Sequence, residues 1–296
     1  MTTISGTLGD RLNQKGLRFR LVPSAHVQDL QARILAEYTQ GLFSAEFFHE
    51  RLQFYRFTLP EGLPATRSII VVALPRPQTP VNFTYRGKSL TLILPPTYAQ
   101  FNQINDQVKH LITTIIAPEG FQVADAILPL KLLAACSGLA EYGRNNVCYI
   151  RGFGSFFQLA AYYSDLPCQA DPWQEPHMLE RCTNCQACLI KCPTGAIAAD
   201  RFLLHAERCL TFHNERTSAR PFPAEIDPTI HNAVVGCMLC QRFCPEDKPF
   251  LDFFEPSVDF SAEETASIMR GVPLEDLSPE TIGKLDYLEL TSDLDK

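Results

Sequence analysis

The sequence predicts an α+β fold: an α/β N-terminal domain over residues 1–170, a small cysteine-bearing domain over 171–255, and a helical extension over 256–296. Three observations predict it. Apolar residues recur at helical spacing in several stretches, buried-strand runs such as Ser68-Ile-Ile-Val-Val-Ala-Leu74 interrupt them, and eight of the eleven cysteines crowd into positions 182–244. At 296 residues the chain is long enough for two ordinary domains and a substantial core.

Taken in order, residues 1–60 read as mostly helical. Ser24 is placed to cap a helix over 25–38, where Val27, Leu30, Ile34 and Leu35 share a face, and Gly41 ends it. Ser44 caps an aromatic-rich segment whose Phe47, Phe48, Leu52 and Phe54 read as core. Ser68 to Leu74, stopped by Pro75 and Pro77, is a buried strand, and Ser89 to Leu94, stopped by Pro95-Pro96, a second. Residues 97–117 return to helix on a stripe of Ile104, Val108, Leu111, Ile112 and Ile115, and Pro118-Glu-Gly120 ends it. A further helix runs from Pro129, whose missing N–H costs nothing in a first turn, to Leu139.

Glu141-Tyr142-Gly143-Arg144-Asn145-Asn146 then forms a polar turn, Val147 to Ile150 is strand-like, and Gly152-Phe153-Gly154-Ser155 is a second loop. Glycine loops on both sides of a short strand suit a backbone that approaches a ligand closely, and equally suit two ordinary turns. Prolines and polar residues place the domain boundary near 165–178. Ser261-Ala-Glu-Glu264 is a capping box, and Ser278-Pro279 opens a last helix before an acidic, fraying tail.

Hydrophobic content of 46% and charged content of 20% describe a globular protein. The formal charge of −7 argues against a surface built to hold a nucleic-acid backbone. No apolar run approaches the roughly 20 residues that span a bilayer, and the N-terminus lacks the features of a signal peptide. The expected setting is reducing and cytoplasmic, with no membrane partner.

The cysteines carry the chemistry. Cys182-x2-Cys185-x2-Cys188-x3-Cys192-Pro193 is the bacterial ferredoxin run, and Cys209, Cys237, Cys240 and Cys244-Pro245 complete eight thiolates, enough for two 4Fe–4S clusters in a ferredoxin-like domain. In that run the cysteine before proline ligates the other cluster. Cluster A then takes Cys182, Cys185, Cys188 and Cys244, and cluster B takes Cys192, Cys209, Cys237 and Cys240. Two zinc sites would need neither a third cysteine at x2 spacing nor a Cys-Pro at both ends. Disulfides would leave an odd cysteine and want a secretory leader. Cys136, Cys148 and Cys168 read as buried small hydrophobes.

About 170 residues precede the clusters, so electrons from an external low-potential donor pass to something held by the first domain. No Gly-x-Gly-x-x-Gly follows a strand, so the acceptor is a substrate or a cofactor bound without that motif.

The chain resembles the epoxyqueuosine reductase family, whose arrangement is shared with reductive dehalogenases. The residues that carry the resemblance are Ser68 to Pro75, Ser137-Gly-Leu139, Tyr142-Gly-Arg-Asn145, Gly154-Ser155, Ser164-Asp-Leu-Pro167, Cys182 to Ile197, Cys209-Leu-Thr211 and Gly236 to Pro245. The resemblance implies a nitroreductase-like first domain and a base-off cobalamin between it and the ferredoxin-like domain, reduced through the clusters. Three departures stand out. The family's catalytic aspartate aligns with Ala124, leaving Asp125 nearby; the family's Arg-Gly-Arg-Asp-Tyr-His stretch is matched only by Arg86-Gly-Lys88; and a C-terminal helical-repeat extension is absent. With the acidic charge, these argue against tRNA as the substrate and for a short branch acting on a small molecule.

Gly143, Arg144, Asn145, Asn146, Gly154 and Ser155 are the candidates for binding the cofactor, since arginine offers a donor fork and asparagine both donor and acceptor. Tyr142 and Asp125 are the candidate proton donors. The first reading is an enzyme, a cobalamin-dependent iron–sulfur reductase. The alternative is an electron-transfer protein that reduces a corrinoid or flavin on a partner protein.

Overall fold

The computed structural model describes residues 4–216 and 222–291. The chain opens with α1 (Ile4–Gln14), β1 (Arg18–Pro23), α2 (Val27–Thr39) and α3 (Ala45–Arg51). β2 (Ser68–Pro75), the hairpin β3 (Thr79–Tyr85) and β4 (Lys88–Leu94), and the long α4 (Phe101–Ile116) follow. Next come β5 (Val123–Asp125), α5 (Leu130–Cys136), a two-residue hairpin of β6 (Glu141–Tyr142) and β7 (Cys148–Tyr149), and β8 (Phe157–Ser164).

The first half is built on an antiparallel sheet in the order β1-β2-β8-β5. β2 and β8 pair along their whole length, from Ser68 opposite Ser164 to Pro75 opposite Phe157. Alternate residues of a strand face opposite sides, and here both sides are covered. Ile69, Val71 and Ala73 pack with Leu159 and Ala161 under α2 and α5, while Ile70 and Val72 pack with Ala160 and Tyr162 under α1 and α4. Double burial explains why β2 reads as an unbroken apolar run. Each such side chain stabilises the fold by about 1.5–3 kcal/mol relative to exposure.

The structure departs from expectation where tertiary pairing outweighs local signal. β1 lies inside the region read as helical; Phe19 and Leu21 alternate with arginines, and the strand forms because β2 offers it a partner. Ser24 is not a cap: its hydroxyl donates to the Thr66 carbonyl at 3.3 Å, and a 3₁₀ turn precedes α2. Ser44 does cap α3, accepting from the Phe47 N–H. Glu141-Tyr142 belongs to the small hairpin, although the segment reads as a turn.

The cysteine-bearing part contains three short helices, α6 (Ala187–Lys191), α7 (Leu210–Asn214) and α8 (Leu239–Arg242). The C-terminal segment is not a purely helical extension. It begins with β9 (Val258–Phe260), which pairs in parallel with β3, Val81 opposite Val258 and Phe83 opposite Phe260. α9 (Ala262–Met269) and α10 (Pro279–Tyr287) follow, and Leu285 and Leu288 share a core with Val81, Leu94 and Val235. The capping box at Ser261 and Glu264 has both of its hydrogen bonds. The acidic tail falls outside the described residues. Among the described residues, no helix is long and apolar enough to cross a membrane.

Candidate cluster site and the cavities beside it

Two sets of cysteine sulfurs lie close together, and the sets approach each other at Cys188 and Cys240. Burial pushes the Cys188 thiol up to about 11, and its charged neighbours are Cys182, Cys244 and Cys185. Burial likewise raises Cys240, with Cys237 and Cys209 beside it. Cys192, Cys209, Cys237 and Cys240 all line one cavity of about 470 Å³, which Cys182, Cys185, Cys188 and Cys244 do not reach. Among the described residues, no three Cys, His, Asp or Glu side chains close on a single ion, as a zinc site would require.

The loops nominated to bind a cofactor do another job first: they clasp the cysteine-bearing domain. Arg144 donates through Nη2 to the Cys182 carbonyl at 2.8 Å and through Nε to the Cys185 carbonyl at 3.2 Å. Asn145 Nδ2 donates to the Tyr149 hydroxyl at 2.9 Å, and the Asn145 amide also hydrogen-bonds Cys240, favouring its thiolate. Burial raises both the Cys244 thiol and the Asp247 carboxyl, and the Tyr149 hydroxyl, hydrogen-bonded to each, pulls in the opposite direction. Asn146 takes a left-handed backbone with φ of 55°, which asparagine tolerates. It donates to the Phe202 carbonyl at 2.9 Å and accepts from the Leu204 N–H at 2.5 Å.

The second loop grips the other end. Ser155 donates to Asp247 through its N–H at 2.7 Å and its hydroxyl at 2.8 Å, and Gln241 Nε2 donates to the Ser155 hydroxyl at 2.8 Å. Asp247 is fully buried, and that burial pushes its carboxyl up to about 6 against the pull of these bonds. Two glycines make the approach possible. A Cβ at Gly143 would sit 2.5 Å from both Asn145 Oδ1 and Tyr149 Cε2, and one at Gly154 would sit 2.5 Å from Asp247 Oδ1.

Of the nominated residues, Asn145, Asn146 and Ser155 also line the 470 Å³ cavity, between the Pro95-Pro96 turn and the cysteines. Its wall includes Gln158, fully buried, whose Nε2 donates to the Phe101 carbonyl and Asn105 Oδ1. Gln158 Oε1 has no partner among the described residues, so the wall holds an unused acceptor. A second cavity of about 450 Å³ is lined by Phe43, Phe47, Phe54, Tyr55, Tyr142 and Phe202, together with Arg33, Arg51, Glu37 and Glu215. The two cavities share Lys131, Asn146, Leu204, Cys209, Thr211 and Glu215.

The two candidate acids separate. Tyr142 faces the second cavity, edge-on to Phe202, and burial holds its hydroxyl protonated well above the usual tyrosine range. Asp125 lies on the edge strand β5, is exposed, pairs with Lys109 at 2.7 Å and lines neither cavity. The sequence reading missed Lys131 and Gln158. A lysine at the mouth of an apolar helix and a glutamine within a strand carry no motif, and only their shared cavity marks them. His213 turns its Nε2 to the Glu207 carbonyl at 2.8 Å.

A family profile described as a 4Fe-4S double cluster binding domain matches residues 181–247. The part of the chain that holds the eight thiols is therefore a double-cluster iron–sulfur domain, and two 4Fe–4S clusters are its cofactors. The chain is further a homologue of the epoxyqueuosine reductases. It is 31% identical over 217 residues to that enzyme from Alicycliphilus denitrificans, covering 72% of this chain and 55% of the relative. With the Pseudomonas aeruginosa enzyme it shares 33% over 141 residues, covering 47% of this chain and 38% of the relative. The chain thus spans about half or less of these relatives' own lengths.

The fold matches solved epoxyqueuosine reductases. That of Bacillus subtilis superposes with a TM-score of 0.67 at 19% identity, covering 98% of this chain and 80% of that one. An epoxyqueuosine reductase solved with an epoxyqueuosine-modified tRNA-Tyr stem loop superposes at 0.64 and 20% identity, covering 94% and 68%. That complex overturns the expectation that tRNA is an unlikely partner. Net charge was a poor guide, because it averages the whole chain, whereas an RNA meets only the local surface around a site.

Proposed function

We propose that the protein is a double-cluster reductase of the epoxyqueuosine-reductase type, in which electrons run from cluster A through cluster B to an acceptor in the first cavity. The observation that carries this reading is that Cys209, a cluster B ligand, lines both cavities, so one metal centre borders a place for a cofactor and a place for a substrate. Cys182, Cys185, Cys188 and Cys244 hold cluster A, and Cys192, Cys209, Cys237 and Cys240 hold cluster B. Cys182, Cys185, Cys188 and Cys244 line neither cavity, so the cluster they would hold would take the electron in, and the one held by Cys192, Cys209, Cys237 and Cys240 would pass it on.

The first cavity suits a flat ligand with amide groups at its rim. Pro95, Pro96, Phe157 and Leu159 supply apolar walls, and the Gln158 carbonyl and the Asn145 and Asn146 amides supply polar contacts. A base-off corrinoid bound there would supply a nucleophilic low-valent cobalt. Asn145, Asn146, Ser155 and Gln158 orient it, and the aromatic seam of the second cavity excludes water from the reacting face.

The second cavity suits a planar base presented by an RNA. Unstacked bases are held on aromatic faces, and Phe43, Phe47, Phe54, Tyr55 and Phe202 offer such faces. Lys131, on the border between the cavities, is placed to give a proton to the reduced substrate, and Tyr142 donates a hydrogen bond from the wall.

The test uses protein purified without air and reconstituted with iron, sulfide and hydroxocobalamin. After desalting, its spectrum should keep corrinoid bands beside the iron–sulfur absorption. An epoxyqueuosine-bearing tRNA stem loop should then be converted to the queuosine form under a low-potential reductant, read by mass spectrometry of the nucleosides. Full clusters with neither corrinoid retention nor conversion would sink this reading.

A further inference from the structure

The cluster domain carries large apolar side chains exposed between its cysteines. Ile190 on α6 is 69% exposed and Phe243, just after α8, is 46% exposed. The Lys191 ammonium lies 4.8 Å from the centre of the Phe243 ring, which brings the two segments into one patch. Arg242, which precedes Phe243 in the chain, is exposed, as is Lys248. Lys191, Arg242 and Lys248 make no ion pair among the described residues, whereas Arg181 nearby is paired with Glu246 at 2.5 Å. A chain of net charge −7 thus carries two exposed apolar side chains with Lys191 and Arg242 next to them in sequence and without ion pairs among the described residues.

The position of the patch gives it meaning. Ile190 and Lys191 stand between Cys188 and Cys192, and Arg242 and Phe243 between Cys240 and Cys244. These residues are therefore exposed immediately beside cysteines that would hold the clusters, and they line neither cavity. The first domain grips the cysteine-bearing segments through Arg144, Asn145, Asn146 and Ser155, whereas Ile190, Lys191, Arg242 and Phe243 stay exposed to an approaching donor protein.

We propose that this face docks an acidic one-electron carrier protein of the ferredoxin or flavodoxin class. One electron leaves the reduced carrier and enters cluster A; no proton or group is transferred. The inference rests on the two-cluster reading and is independent of what fills the cavities. Weak electron-transfer encounters bury little area, and their rates are set by charge steering around a small apolar centre.

The experiment is stopped-flow reduction of the cluster-loaded protein by a pre-reduced acidic ferredoxin, without cofactor or RNA, following the loss of iron–sulfur absorption. Reversing charge in a Lys191→Glu, Arg242→Glu double variant should slow reduction roughly 5- to 10-fold at low salt and flatten its salt dependence. Reduction of the same variant by reduced methyl viologen, a small cation, should not be slowed, which separates docking from damage to the clusters. An Ile190→Ser, Phe243→Ser variant should weaken the encounter while retaining the salt dependence. A carrier rate within twofold of the parent in the charge-reversed variant would overturn the proposal. So would a variant that loses affinity for a tRNA stem loop while its carrier rate stays unchanged, since the patch would then be an RNA face.

Discussion

The Asn145 amide donates to the Tyr149 hydroxyl at 2.9 Å, and through these two side chains the ligand sets of both clusters are joined. Asn145 also hydrogen-bonds Cys240, and Tyr149 lies against Cys244. Both residues come from the first domain's small hairpin. A loop that the sequence marks as ligand-binding thus ties Cys240 to Cys244 through two side chains of the first domain.

Hydrogen bonds to cluster sulfur stabilise the reduced, more negative state and raise the potential. Asn145→Leu should therefore lower the midpoint of cluster B, and Tyr149→Phe that of cluster A. A charge-assisted bond contributes about 1.5–3 kcal/mol, and for a one-electron couple a tenfold change is 59 mV, so the expected shift is at most about 65–130 mV. A redox titration followed by electron paramagnetic resonance checks it. Unmoved midpoints with full iron content would remove the tuning role.

The interleaved ligand sets make a distinct prediction. Cys188→Ala and Cys244→Ala, 56 positions apart, should each abolish the same spectroscopic signal. Cys192→Ala and Cys237→Ala should abolish the other. Iron analysis should fall by one cube's worth in every case. If Cys244→Ala instead removed the signal lost with Cys240→Ala, the ligands would pair by sequence neighbourhood and the assignment would be wrong.

Gly143→Ala places a methyl group 2.5 Å from Asn145 Oδ1 and from the Tyr149 ring. Both neighbours are buried and hydrogen-bonded, so neither yields cheaply. Overpacking of this kind costs about 1–3 kcal/mol. Urea unfolding of the cluster-loaded protein should show a loss in that range, and a neutral substitution would mean that the hairpin relaxes freely.

Burial raises the Cys148 thiol to about 12 and the Cys136 thiol to about 11. A raised thiol pKa leaves little thiolate below those values, and the thiolate is the nucleophile. In folded, cluster-loaded protein at pH 8, iodoacetamide should therefore leave both unlabelled, and labelling should appear only on unfolding. Rapid native labelling of Cys148, seen by peptide mass spectrometry, would contradict its buried placement beside the Lys131 carbonyl.

Much of this protein is legible in its residues alone. The x2 spacings, the Cys-Pro pairs and the lone Cys209 announce two clusters because a metal cube demands thiolates at short, stereotyped intervals. β2 and α4 are equally readable, since both bury apolar faces whose period the sequence repeats. The caps at Ser44, Ser261 and Ser278 are local bonds and are visible as local motifs.

What only the tertiary structure decided lies between elements. β1, β5 and β9 are strands because β2, β8 and β3 present them with unpaired edges. Asp125 is a candidate acid only as the neighbour of Ala124, where the family's aspartate aligns, and the sheet turns it outward to Lys109. Lys131, Gln158 and Cys209 share a cavity wall although 78 positions separate the first from the last. Spacing along a chain encodes bonds a residue makes with its near neighbours. The grip of Arg144 and Ser155 on the cluster domain depends on partners 38 and 92 residues away, and only packing chooses those.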